Sequence, residues 1–164
     1  MSAVGDFAAA MGDLDAPMFI VTCQPPDGPP AGCLVGFATQ CSIDPGRFLA
    51  CISRANHTHG AAGRCAALGV HVVPETEMAL AELFGGETED EEADKFARCA
   101  WHPGAHEVPV LDACPNWFVG RIADRLELGD HTGFLLDPVD AAHRPGGDEL
   151  GQQRAVAIDP GHPA

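Results

Sequence analysis

The sequence is short of positive charge, and it contains no tyrosine. Nine Lys and Arg residues stand against twenty-four Asp and Glu residues, which gives a formal net charge of −15. A nucleic-acid-binding protein needs a basic surface, and so does a protein that docks on an anionic membrane. The excess of acid therefore argues against both classes of partner. It favours a chain that stays dispersed in water by repulsion between like charges.

Several patterns that define common protein classes are also missing. No apolar run approaches the roughly 18 residues of a membrane-spanning helix. Neither G-x-G-x-x-G nor G-x-x-x-x-G-K-[ST] occurs, so a dinucleotide-binding Rossmann fold and a P-loop have no support. G-x-S-x-G is absent as well, and a serine hydrolase of that type would lack its nucleophile.

The seven cysteines are odd in number and include no C-x-x-C pair. A disulfide framework of a secreted protein is therefore not expected, and the predicted location is the reducing cytoplasm. The close histidine pairs, His57 with His59 and His102 with His106, lack the further ligands of a zinc site, so we predict no metal. Cys–His nucleophilic catalysis stays open, although no local arrangement supports it.

Short apolar segments separated by Pro and Gly predict a chain of strands with a few helices. The predicted strands are 17–23, 31–39, 48–53, 68–73, 117–128 and 131–136. The predicted helices are 5–12, a segment from about His57, 75–84 and 94–98. The segment 85–94 is predicted to be an acidic loop or, alternatively, a lid over a site. The segment 101–115 is predicted to be a loop. This order predicts an α+β domain or a small β-barrel.

Positive charge is concentrated in one part of the chain. Arg47, Arg54 and Arg64 stand against a single acid between residues 42 and 71, whereas the rest of the chain is acidic. Phosphate recognition uses guanidinium, hydroxyl and amide groups together, and residues 53–58 (SRANHT) offer all three where a strand meets a helix. One interpretation is a site for an anionic small molecule. The other is a helix cap whose arginines extend into solvent.

The order of several short motifs resembles the flavin reductase family, whose members are FMN-binding split-barrel proteins. The parallels extend from about residue 14 to residue 140 and keep the order and approximate spacing of the family. They are Met18–Thr22, Gly32–Phe37, Gln40–Pro45, Arg54–Thr58, Gly69–Val73, Asp94–Phe96, Trp117–Gly120 and Gly129–His131. Each motif is weak alone, whereas eight in the same order are more specific.

The resemblance implies a mainly β fold with α (α+β), a split β-barrel of antiparallel Greek-key type with flanking helices, over residues 1–142. Residues 143–164 would then form a C-terminal tail, partly ordered or packed on a partner subunit. The implied cofactor is FMN (or FAD), with NAD(P)H as the reductant. The implied assembly is a homodimer with the flavin at the subunit boundary, and a partner oxygenase would fit the same family.

The motifs of the family also assign site residues to this sequence. His131 would be the catalytic residue, near the nicotinamide or the flavin ring. The cofactor-binding residues would be Gly32, Cys33, Leu34, Val35, Gly36, Thr39, Gln40, Cys41, Ser53, Arg54, Asn56, His57, Thr58, Lys95 and Phe96.

The sequence departs from the family where side-chain hydroxyls are expected. Leu34, Gly36 and Phe37 stand in place of a Thr and a pair of Ser on the second strand. Backbone amides of that strand would then bind the ring, and Arg54–Thr58 would bind more of the phosphate. Three functions follow, in order of preference. The first is an NAD(P)H-dependent flavin reductase, or the reductase component of a two-component monooxygenase. The second is a flavin-binding module with little or no turnover, and the third is a ligand-free dimeric scaffold.

Overall fold

The structure is a computed structural model, and it describes residues 2–86 and 92–159, without the side chains of residues 92–94. The strands are β1 (Phe19–Cys23), β2 (Ala31–Val35), β3 (Ala38–Ile43), β4 (Gly46–Ser53), β5 (Ala67–Val72), β6 (Trp101–Pro103), β7 (Pro109–Leu111), β8 (Trp117–Glu127) and β9 (His131–Ala142). The helices are α1 (Ala3–Gly12), α2 (His57–Ala62), α3 (Met78–Gly86), α4 (Glu92–Ala97) and α5 (Gln152–Ala155).

Seven of the strands form one antiparallel sheet in the order β2-β1-β5-β8-β9-β4-β3, and β6 and β7 form a separate hairpin. β2 and β4 contact each other although four strands lie between them in the sheet. Contact between such distant strands requires the sheet to curl strongly, as a barrel does. The predicted fold class, an antiparallel split barrel with flanking helices, is confirmed.

The central position of β1 explains its unbroken apolar sequence. All five of its residues are buried, because neighbouring residues on a strand point to opposite faces and both faces of this strand are covered. Val21 packs in one core cluster together with Val70 and Phe134. Ile20 packs in a second cluster with Phe84, on the side that the helices cover.

Three predicted elements differ from the structure. The single strand expected at 31–39 is two strands, β2 and β3, because the chain bends at Gly36–Phe37. The expected loop at 101–115 contains the β6–β7 hairpin, whose second strand is fully buried. β9 continues to Ala142 instead of ending at residue 136. Residues 87–91 of the expected acidic loop lie outside the described residues.

The C-terminal segment packs on the chain's own sheet. Leu150 is completely buried, its N–H donates to the Val73 carbonyl (2.7 Å), and its carbonyl accepts from the Met18 N–H (2.9 Å). The side chain of Gln153 donates to the carbonyls of Gly12 (2.8 Å) and Leu14 (3.0 Å). These contacts hold the two ends of the described chain together and place α5 beside the end of β2.

α1 is different from the other helices, because none of its residues is buried. Its apolar side chains Val4, Phe7 and Met11 are all exposed, and Leu14 just after it is exposed too. No helix among the described residues is long and apolar enough to cross a membrane.

Candidate functional site

A cavity of about 280 Å³ opens between the strand ends and the C-terminal segment. One wall comes from the end of β2 and the bend that follows it, and a second from the end of β4 and the start of β9. α5 and the residues after it form the third wall. The lining residues are Met18, Cys33, Leu34, Val35, Gly36, Phe37, Cys51, Ile52, Ser53, Asn56, Gly85, His131, Gln152, Ala155, Val156 and Ile158.

The bend after β2 shapes the cavity. The Cys51 N–H donates to the Phe37 carbonyl (2.9 Å), which fixes the bend against β4. A Cβ atom on Gly36 would lie 3.5 Å from the Met18 sulfur and 3.9 Å from the Gln152 amide nitrogen. Both distances are ordinary van der Waals contacts, so the side chains of Met18 and Gln152 pack beside this bend with room for a methyl group.

His131 reaches the cavity from the first residue of β9, where it pairs with Ser53 of β4. Gly129, with a φ of 107°, forms the tight turn that precedes it. The Nδ1 atom of His131 lies 2.7 Å from the Asp130 carboxylate, and this hydrogen bond lowers the pKa of Asp130. The imidazole packs against the Phe37 ring with centroids 5.2 Å apart. Because Nδ1 is bound to Asp130, Nε2 is the atom available to a ligand.

The predicted phosphate segment divides into lining and non-lining residues. Ser53 and Asn56 line the cavity, although each also has a local role. The Ala55 N–H donates to Ser53 Oγ (3.2 Å), and the Thr58 N–H donates to Asn56 Oδ1 (2.9 Å), which caps α2. Thr58 is fully buried, whereas His57 is exposed. Arg54 does not line the cavity.

The arginines that looked like an isolated basic group in the sequence are paired in the fold. Arg54 contacts Glu127 at 2.8 Å, and Arg47 contacts Asp137 at 3.0 Å. Arg64 contacts Asp27 at 3.3 Å. All three acids lie far away in the sequence, so the local charge count overstates the positive charge of this region.

Gly32 lies on β2 and Lys95 and Phe96 lie behind that strand, and none of the three lines the cavity. The Lys95 side chain is 3% exposed, and its Nζ donates to the Gly32 carbonyl (3.1 Å). The Phe96 ring packs edge-on against Phe84, with centroids 5.5 Å apart. The structure therefore places these residues where they support the β2 wall from the side of the helices.

Three other predicted residues lie on β3 and are also outside the cavity. Gln40 and Cys41 line a separate open groove on the β3–β4 hairpin, and Thr39 bonds to the neighbouring Gln40 carbonyl (3.1 Å). Of the predicted site residues, the structure thus brings together Cys33, Leu34, Val35, Gly36, Ser53, Asn56 and His131.

The cavity wall that the C-terminal segment contributes was not predicted from the sequence. Gln152, Ala155, Val156 and Ile158 line the cavity, yet no motif precedes them. The one available signal was the short apolar group at 155–158 in an otherwise polar end of the chain.

The chemistry of the lining suits a flat ring with a polar edge. Most of the surface that the described residues form is apolar. No Lys or Arg side chain is among those residues, and the polar side chains are hydroxyl, amide and imidazole groups. Such cavities bind small molecules by apolar contact and orient them with a few polar groups. Among the described residues, no group of three His, Cys, Asp or Glu side chains could hold a metal ion.

Comparisons with known proteins agree with this arrangement. The family model described as "Flavin reductase like domain" matches residues 11–157. The chain is 34% identical over 130 residues to the FMN reductase (NADH) RutF of Bradyrhizobium diazoefficiens, which covers 77% of this chain and 68% of that protein. It is 30% identical over 146 residues to the 4-hydroxyphenylacetate 3-monooxygenase reductase component of Pseudomonas aeruginosa, with 88% and 84% covered. The chain belongs to the flavin reductase like domain family, and the resemblance inferred from motif order is confirmed.

The chain spans only part of the length of one relative, and its fold is also found in a solved structure. A relative from Rhizobium meliloti is 25% identical over 151 residues, and this chain spans only 47% of its length. The structure also matches SgcE6, an NADH:FAD oxidoreductase of Streptomyces globisporus solved in complex with NAD and FAD fragments. That match has a TM-score of 0.79 at 20% identity and covers 97% of this chain and 90% of the other. It supports a shared fold.

Proposed function

We propose that this protein is a flavin reductase that oxidises NAD(P)H and passes the hydride to a flavin. The observation that carries the proposal is the cavity between the β2 bend, the start of β9 and α5, which has an apolar lining and a few polar groups. Family membership and the names of its relatives point to the same reaction.

The residues divide into ring-binding and phosphate-binding groups. The flavin ring would lie along Cys33–Gly36, with His131 beside its reacting face. Ser53 and Asn56, which also line the cavity, would contact the ribityl chain and the phosphate. Arg54 follows Ser53 in the sequence, and its guanidinium would exchange the contact with Glu127 for a contact with the phosphate.

The reaction asks little acid–base chemistry of the protein. A bound flavin supplies the acceptor for the hydride, and the chain supplies binding, orientation and exclusion of water. His131, held by Asp130 on one side and Phe37 on another, has a fixed ring orientation. It would therefore position the nicotinamide, because His131 lines the cavity and its Nε2 is not engaged by Asp130.

The choice of nucleotides follows from the relatives and stays part of the proposal. The Bradyrhizobium relative is named for FMN and NADH, so FMN and NADH are the first pair to test, with FAD and NADPH as the alternatives. The Pseudomonas relative is the reductase component of a monooxygenase, and by the same division of labour a separate oxygenase would receive the reduced flavin. We place the reaction in the cytoplasm.

We also propose that the protein works as a homodimer. α1 carries Val4, Phe7 and Met11 along one stripe, and none of its residues is buried in the chain. A helix of ten residues is marginal in water unless an apolar face packs against something. A second copy of the chain would cover that face.

The experiment is an assay of the purified protein with NADH or NADPH and FMN, FAD or riboflavin, followed at 340 nm. We expect NADH oxidation that depends on both the protein and the flavin. Saturable flavin binding with no oxidation of either nucleotide would reject the reductase and leave a flavin-binding module. Absence of both would reject the proposed site.

A further inference from the structure

Two amide side chains line the cavity, and only one of them has a structural partner. Asn56 uses its oxygen to cap α2. Gln152 is half-buried, and within the described parts of the chain its amide makes no hydrogen bond. An amide that loses water without gaining a partner is costly, so a ligand that fills the cavity must replace the water on Gln152.

The backbone of Gln152 is firmly placed. Its N–H donates to the Ala16 carbonyl (2.8 Å), and the preceding Gly151 forms a β-bridge with Pro17. The side-chain nitrogen lies 3.9 Å from the point where Gly36 would carry a Cβ atom. The amide therefore lies beside the bend at the end of β2, where Gly36 has no side chain.

The next residue provides an internal contrast. Gln153 donates its side-chain N–H groups to Gly12 and Leu14, and its backbone N–H donates to the Asp15 carboxylate at 3.0 Å. Gln153 thus attaches the C-terminal segment to the residues after α1. With that attachment made by its neighbour, the Gln152 amide bonds to no other described residue and lines the cavity.

We propose that Gln152 is a specificity-determining residue that recognises the amide-like edge of the ring bound in this cavity. An amide donates and accepts at the same time, so it complements a group that presents a carbonyl beside an N–H. Two ligands of the proposed reaction have this chemistry: the flavin, through its imide edge, and the nicotinamide, through its carboxamide. The proposal rests on the proposed function.

The test compares Gln152→Met, which keeps the length of the side chain and removes its polar atoms, with Gln153→Met as the matched control. The dissociation constant of FMN is measured without nicotinamide, and the KM is measured for NADH and for its analogue with an acetyl group in place of the carboxamide. Loss of one neutral hydrogen bond should weaken one of the two ligands roughly threefold to tenfold. Gln153→Met should lower the melting temperature and leave both ligand constants unchanged.

The outcomes separate the two sources and the two proposals. A higher FMN dissociation constant in Gln152→Met assigns the residue to the flavin. A higher KM for NADH, with the preference for NADH over the acetyl analogue lost, assigns it to the nicotinamide. If the unchanged protein binds and reduces FMN and Gln152→Met behaves identically, the inference is wrong. It is equally wrong if Gln153→Met shifts the same constants. If the unchanged protein does neither, the proposed function has failed first.

Discussion

Arg54 is the residue whose role depends most on what surrounds it. In the structure its guanidinium contacts Glu127 at 2.8 Å, and 43% of its side chain is exposed. An exposed ion pair contributes little to stability, so a doubly charged phosphate can compete for the same arginine. Glu127 would then act as a weak internal competitor of the ligand.

The corresponding prediction separates phosphate binding from ring binding. Arg54→Gln should weaken FMN binding by about 1–2 kcal/mol, because a charge-assisted hydrogen bond is lost, and should leave riboflavin binding unchanged. Glu127→Gln should tighten FMN binding. Fluorescence titration of both flavins measures the effect, with Arg144→Gln as a control on an exposed arginine. Equal effects on FMN and riboflavin would remove Arg54 from the phosphate site.

His131 carries the second prediction at this scale. His131→Ala should lower kcat/KM for NADH by roughly tenfold to a hundredfold, because the nicotinamide loses its positioning contact. The FMN dissociation constant should change much less. Steady-state kinetics at 340 nm test this, and His143→Ala, an exposed histidine elsewhere on the surface, is the matched control. Unchanged kinetics would contradict the assignment of His131.

Site residues could be predicted where the groups that act together are close in the sequence, and not where they are far apart in it. The SRANHT segment shows its hydroxyl, amide and guanidinium groups directly in the sequence, and Ser53 and Asn56 do line the cavity. The partner of Arg54 lies more than seventy residues away and is brought close only by the β8–β9 hairpin. No local pattern carries that information, so counting charges along the sequence could not show that Arg54 is paired with an acid.

At the scale of elements, β5 carries a titratable side chain in a fully buried position near its C-terminal end. His71 is 0% exposed, its Nδ1 lies 2.9 Å from the Ile20 carbonyl, and the Leu111 N–H donates to its Nε2 (3.0 Å). Since Nε2 accepts, the proton must be on Nδ1 and the ring is neutral. His71 thereby connects β5 to β1 and β7 in one hydrogen-bonded layer.

This arrangement predicts a pH-dependent stability. Burial lowers the pKa of His71 from an ordinary 6.5 to about 4. The stability it contributes is therefore complete above pH 6.5 and is lost as the pH falls from 6.5 towards 4, because only the unfolded chain takes up the proton. Between pH 7 and pH 5.5 we expect this group to remove about 1–2 kcal/mol of unfolding free energy.

Urea unfolding at the two pH values, on the unchanged protein and on His71→Asn, measures the effect. Asparagine is polar and does not titrate, so the variant keeps a polar group there without the proton equilibrium. The variant should lose less stability between pH 7 and pH 5.5 than the unchanged protein does. Val70→Ala, next to it on β5, should lower stability equally at both pH values. The same pH slope in His71→Asn would show that another group titrates.

The elements themselves followed well from apolar periodicity, with failures where tertiary contacts decide. β1 and β8 were predicted to within a few residues, because a continuous apolar run marks the first and alternating apolar and polar residues mark the second. The bend at Gly36–Phe37 was not, since it is fixed by the Cys51 hydrogen bond from another strand. The β6–β7 hairpin contains Pro103 and Pro109, which argue locally for a loop.

For the whole molecule, the unpredicted feature is that the two ends of the described chain complete the cavity. Leu150 sits between Met18 and Val73, and α5 then turns over the end of β2. The segment 143–159 has few apolar residues, so its composition resembles a surface tail. Its place in the fold comes from one buried leucine and several backbone hydrogen bonds, neither of which a composition reveals.

The exposed face of α1 gives the prediction for the assembly. Phe7 is 66% exposed and lies one turn from Val4 and Met11. If a second copy covers this face, Phe7→Asp removes an apolar contact at two equivalent places, because a twofold interface repeats each residue. Burying a phenylalanine is worth about 1.5–3 kcal/mol, so the dimer dissociation constant should rise by at least about a hundredfold.

Sedimentation velocity across a range of protein concentrations measures this change. Val139→Asp, at a half-exposed apolar position on β9, serves as the control and should leave the sedimentation coefficient unchanged. If the unchanged protein sediments as a monomer at every concentration, α1 has no partner in a second copy. If it is a dimer that Phe7→Asp does not weaken, the dimer forms through another surface.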